Sequence, residues 1–288
     1  MSAWPSQRAP WTARAVAVVL LWIARTLASL LVACPLVFAI VGSGLVGSPE
    51  RDAPLFRPGA LVLLELVRTG APLLGAALRV SLVLFALCAV LGLVPLGAAL
   101  DLLQRQTTDA VGSRFERGFR LFPRFLGLSA LTLLAQAALL LAASLLGTAL
   151  SSGLHGRDER LLSLLPVASF GIGLLCCAWV GAVLDIARSS VVQHDVGARA
   201  ALFEALTILR ADPVAVLVGS YPSVAGSAFA WLASAWVLAK INLATPVTRG
   251  VALAFVVHQL AILLSVALRV RWLDGALTLA ARAPSAGD

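Results

Sequence analysis

Six stretches, at 26–46, 80–100, 125–150, 161–184, 214–239 and 250–268, are apolar almost without interruption. A helix needs about 20 apolar residues to cross the hydrocarbon layer of a bilayer. The segments between these runs are too short to build a separate aqueous domain. Of the 288 residues, 60% are hydrophobic and 12% charged, with mean hydropathy +0.96. A soluble domain carries about 45–50% apolar and about 25% charged residues. Lipid must therefore be the solvent for most of the chain. A barrel would alternate apolar and polar residues in segments of about ten, whereas LVLFALCAVLGLV does not alternate. Helices also satisfy every backbone donor and acceptor internally, as lipid requires. The expected fold is all-α: one integral membrane domain over 1–288 with six transmembrane helices.

Two of the runs close in the same way, with GAALD at 97–101 and GAVLD at 181–185. After each come an aspartate, Val-Gly, an arginine, Phe-Glu, a proline and a new span. Trp272-Leu273-Asp274 is a fainter third copy. Fixed-period similarity marks a repeated supersecondary unit, here three hairpins over 26–100, 125–184 and 214–274. Phe115, Phe119 and Phe122 recur at helical spacing before the third span, and Phe203, Leu206 and Leu209 before the fifth. Both segments, and Trp11–Ile23 before the first span, read as short amphipathic helices in the membrane interface. Asp212 suits an N-cap and Pro213 the first helical position of the fifth span.

The net charge of +8 comes from 22 cations, all arginine except Lys240, set at span ends and in short connections. That distribution fits topology better than nucleic acid, which needs a solvated basic face. With the N-terminus inside, 14 cations fall on the cytoplasmic side and eight outside. Excess positive charge marks the cytoplasmic side, so both termini are expected there. Asp101, Asp185 and Asp274 leave the lipid beside arginines, and Asp101 and Asp185 are expected to pair with Arg105, Arg114, Arg188 or Arg199. As exposed pairs each would contribute about 0.2–1 kcal/mol.

Gln136, His258 and Gln259 are the strongly polar residues near span centres. Their expected use is hydrogen bonding between helices. Such residues are also where a transport path would run. Pro35, Pro95, Pro166 and Pro222 each remove a backbone donor inside a span and are expected to kink it. Gly219, Ser223 and Ser227, beside Gly226, Ala230 and Ser234, form a small-residue surface suited to close helix approach. Cys34, Cys88, Cys176 and Cys177 lie in spans without CxxC spacing and read as small apolar residues. Leu31-Val32-Ala33-Cys34 fits a loose lipoprotein cleavage box, but Arg25 interrupts its apolar region and an uncleaved first span is expected. His155 and His194 read as solvated. HExxH, P-loop and GxSxG motifs are missing from the sequence, and no cofactor or metal is expected.

Span, aspartate, amphipathic helix, proline and span, with LDIARSSVVQHDVGARAALFEALTILRADP at 184–213, resembles a group of six-span bacterial membrane proteins. The group includes the membrane domain attached to some glycerophosphoryl diester phosphodiesterases. The likeness covers roughly 95–275. In those fusions catalysis belongs to a separate soluble domain, so the resemblance implies a bacterial inner-membrane location and no hydrolase activity here. Two functions are open: a non-enzymatic scaffold or accessory subunit acting on a membrane complex or on envelope lipid, and a small-solute or lipid permease component. The expected partners are the lipid bilayer and other membrane subunits or an ATPase, with no nucleic acid.

Overall fold

The computed structural model describes residues 9–42, 61–105, 111–153, 159–241 and 247–282. Among them are eight helices and no strand: α1 (Trp11–Gly42), α2 (Leu61–Leu91), α3 (Leu93–Arg105), α4 (Val111–Gly153), α5 (Glu159–His194), α6 (Ala198–Ala211), α7 (Pro213–Ile241) and α8 (Val247–Ala280). Among the described residues six spans are long and apolar enough to cross a membrane: Trp11–Ala39, Gly75–Arg105, Gly112–Ser152, Leu164–His194, Pro213–Lys240 and Ala252–Ala280. Only 6–28% of the apolar window in each is buried by protein. Side chains such as Leu134, Leu141, Val167, Leu175, Phe229 and Leu232 lie exposed along the helices. So large an apolar surface is stable only against lipid. The chain is an all-α, multi-pass membrane protein.

Several spans run longer than their apolar cores. At 1.5 Å per residue the 43 residues of α4 reach about 65 Å, against about 40–45 Å for a whole bilayer with its headgroups. The amphipathic segment before the third span is therefore not a separate helix but the first three turns of α4, continuous through Pro123. Likewise Trp11–Ile23 is the first part of α1, and Arg25 lies inside the span Trp11–Ala39 rather than at its edge. The run AVAVVLLWIA at 15–24 is apolar enough to enter lipid, and a long arginine stem can carry its charge toward an interface. Only α6 forms the expected short separate helix.

Proline breaks one span and not the others. Helix assignment continues through Pro35, Pro166 and Pro222. Near Pro95 the helix is interrupted at Gly92, between α2 and α3. Pro95 cannot donate to the carbonyl of Leu91, and a Cβ on Gly92 would come within 3.0 Å of the Cys88 carbonyl oxygen. At the start of α7, Asp212 Oδ1 accepts the Ala215 N–H at 2.9 Å, with Pro213 in the first turn, as the sequence predicts. Helix α1 runs unbroken through Cys34, which is exposed and carries no disulfide, as does Cys176.

The helices divide into two compact units. The first holds Met1–Ala17, Gly97–Ala225 and Leu268–Asp288; the second holds Val18–Leu96 and Gly226–Ala267. Within the first, α4 and α5 form an antiparallel hairpin. Arg188 meets Ser129, Cys177 meets Gln136, Gly173 meets Ala143 and Ser169 meets Gly147, so one partner retreats as the other advances. The approach is close enough that a Cβ on Gly173 would lie 2.8 Å from Ala143 Cβ. The best-buried side chains of this unit include Leu100, Phe125, Leu128, Ile186, Val191 and Leu273. In the second unit α1 meets α2 where Ser81 Oγ donates to the Val32 carbonyl at 2.8 Å.

Candidate functional site

All three aspartates singled out in the sequence lie in the first unit, and all three are buried. Asp101, on α3, accepts from Arg105 Nε at 2.9 Å and faces Arg117 Nη1 of α4 at 3.2 Å. Asp274, on α8, faces Arg14 Nη2 of α1 at 2.7 Å and accepts the Ala9 backbone N–H at 3.2 Å. Asp185, on α5, is the most enclosed, with its side chain 0% exposed. Its Oδ1 accepts from Arg269 Nη2 at 2.6 Å and its Oδ2 from the Trp272 indole N–H at 2.8 Å, both from α8.

Arg188 completes this centre. It stands 3.7 Å from Asp185, donates to Ser129 Oγ at 2.7 Å, and lies over the Phe125 ring at 5.8 Å from its centroid. Buried carboxylates persist only when paired and hydrogen-bonded, and each of the three meets that condition across helices. Asp101 of α3 takes an arginine from α4, Asp185 of α5 takes one from α8, and Asp274 of α8 takes one from α1.

Asp101 pairs with Arg105 and Asp185 with Arg188 as expected, and each has a further partner from a distant segment, Arg117 and Arg269 respectively; Arg199 is exposed on α6. The expected energy scale needs correction. Asp185 is not an exposed ion-pair member, so the surface scale of energies does not apply to it. In the sequence Arg14 and Arg269 are indistinguishable from topology charges, and Trp272 belongs only to the faint third repeat. Their role depends on contacts between distant segments, which no local pattern carries.

Helix α6 also differs from its expected orientation. Its buried side chains are Ala201, Glu204, Ala205 and Ile208, while Phe203 is 70% exposed. Of the stripe Phe203, Leu206 and Leu209, Phe203 thus turns away from the protein, and Leu206 and Leu209 are half-buried. Glu204, only 4% exposed, faces His194 Nδ1 at 3.1 Å, so His194 is an inter-helix contact and not a solvated residue. The connection before α6 turns at Asp195, whose φ of 52° is tolerated by aspartate. Arg124 of α4 holds that turn through the Asp195 carboxylate and, at 3.1 Å, its carbonyl oxygen. His155 lies outside the described residues.

The three central polar residues each contact a neighbouring helix. Gln136 of α4 donates from Nε2 to the Cys177 carbonyl of α5 at 3.0 Å, in the first unit. In the second unit Gln259 Oε1 of α8 accepts from Thr26 Oγ1 of α1 at 3.2 Å, and His258 meets the Trp231 ring of α7 edge-on at 4.9 Å between centroids. The small-residue surface of α7 is buried at Ser223, Ala230 and Ser234, and Gly219 lies against Trp272. Among the described residues no group of three His, Cys, Asp or Glu side chains is placed to hold a metal ion. Comparison of the chain with protein families, with curated proteins and with solved structures finds no match.

Proposed function

We propose that this chain is a non-enzymatic membrane protein of a bacterial inner membrane, with both termini cytoplasmic. It serves as a scaffold or accessory subunit of a membrane complex, or in organising envelope lipid. The observation that carries the reading is the engagement of Gln136, His258 and Gln259 by neighbouring helices. A permease needs polar groups turned toward a substrate at membrane depth. These three are already occupied in joining helices. The three buried aspartates, each paired with an arginine from another helix, are suited to holding helices in register, and their similarity favours reading the hairpins as copies of one unit.

The test is His258→Leu. Interhelical hydrogen bonds in membranes average about 0.6 kcal/mol, so the variant should assemble at the wild-type level and retain the partners that co-purify from native membranes. Loss of uptake of any solute, at unchanged protein level, would overturn the scaffold reading in favour of a permease; an ATPase among the partners would point the same way. Topology is tested by introducing single cysteines at Ser2, Ser152 and Ala286 in a background with the native cysteines replaced. An impermeant reagent applied outside should label position 152 alone. Labelling at either terminus would invert the proposed orientation.

A further inference from the structure

Helix α6 presents its outward face to something other than this protein. Arg199, Phe203, Leu206 and Arg210 fall within an arc of about 60° at 100° per residue, opposite the buried Ala201, Glu204, Ala205 and Ile208. Both arginines and Phe203 are exposed, and Leu206 is half-buried. Water is a poor solvent for this stripe because its centre is apolar. Hydrocarbon is equally poor because its two ends carry charge. A surface that is apolar in the middle and anionic at the edge suits both.

Helix α6 is joined to one span by three residues and to the next by Asp212 alone, so it lies at the level where those spans leave the bilayer. Two further aromatics of the same unit are exposed: Trp11, at the first residue of α1, 78% exposed, and Phe119 of α4, 62% exposed beside the exposed Arg120. Amphipathic aromatic and basic side chains collect at the headgroup layer.

We propose that the Arg199–Phe203–Leu206–Arg210 face of α6 is a docking face for anionic phospholipid of the adjoining leaflet. The two guanidinium groups take headgroup phosphate, and Phe203 and Leu206 enter the acyl boundary between them. Arginine suits phosphate because its planar fork donates two parallel hydrogen bonds. Basic side chains near an anionic leaflet gain from its surface potential over a Debye length. The inference rests on the membrane reading and specifies its lipid chemistry.

Native mass spectrometry of the full-length chain in detergent, with equal phosphatidylglycerol and phosphatidylcholine added, tests it. The wild type should retain phosphatidylglycerol several-fold over phosphatidylcholine. Arg199→Gln/Arg210→Gln should abolish that preference at unchanged helicity, and Arg199→Lys/Arg210→Lys should restore most of it. Each single glutamine variant should fall between, which keeps the test open if the double variant does not fold. Arg79→Gln, in the second unit, should leave the preference intact. Equal retention of the two lipids by the wild type would overturn the proposal, as would a preference that survives the double substitution. Displacement of phosphatidylglycerol by soluble polyglutamate would assign the face to an acidic protein partner instead. None of these outcomes alters cysteine labelling, so a failure here is distinct from a failure of the proposed topology.

Discussion

Asp185→Ala should lower the unfolding free energy in mixed micelles by about 3 kcal/mol, the lower end of the roughly 3–5 kcal/mol seen when one partner of a buried ion pair is removed. The carboxylate is fully buried and is the shared acceptor for Arg269, the Trp272 indole and, more distantly, Arg188. Deleting it leaves three donors facing a cavity. Arg269 is 39% exposed and can turn to water. Arg188, 7% exposed under Phe125, cannot. Asp185→Asn keeps an acceptor for the indole N–H but not the charge, and should recover part of the loss. Asp212→Ala, at an exposed N-cap, should cost only about 1 kcal/mol. The measurement is the denaturation midpoint in a sodium dodecyl sulfate titration. A midpoint for Asp185→Ala no lower than that of Asp212→Ala would show that this cluster does not hold the helices together.

How much of this was legible in the sequence follows from the solvent. Six spans could be read because lipid demands a continuous apolar run from any helix that crosses it, and LVLFALCAVLGLV satisfies no other environment. The N-cap at Asp212 and the break near Pro95 were local chemistry and readable as such. The facing of α6 was not. In water an apolar stripe points to the protein interior, and Phe203, Leu206 and Leu209 supply such a stripe. Beside a bilayer, lipid accepts apolar side chains as readily as protein does, and helices meet instead through small and hydrogen-bonded residues. Ala201 and Ala205 bury that face, and Glu204 is tolerated within it because His194 is there to receive it. The same inversion hid the aspartate–arginine pairs. A charge at a span end reads as solvated until a distant arginine is found against it, and Arg269 is 84 residues from Asp185.

Gly219→Ala should destabilise the protein by about 1–2 kcal/mol, and the cost should depend on Asp185. A Cβ at Gly219 would lie 2.7 Å from Cζ3 and 3.2 Å from Cε3 of Trp272. The indole is 3% exposed, and moving it would lengthen the 2.8 Å bond to Asp185. Overpacking of this kind costs about 1–3 kcal/mol, against a gain of up to about 1 kcal/mol from replacing glycine with alanine inside a helix. Gly171→Ala isolates that gain, since a Cβ there meets nothing within 4 Å, and it should be neutral or stabilising. In an Asp185→Ala background the ring has lost its anchor and a cavity lies beside it. There Gly219→Ala should cost markedly less, with a coupling of about 0.5–3 kcal/mol between the two positions. Strict additivity in the double-mutant cycle would mean that Trp272 is fixed by its packing alone, and that the Asp185 centre ends at its arginines.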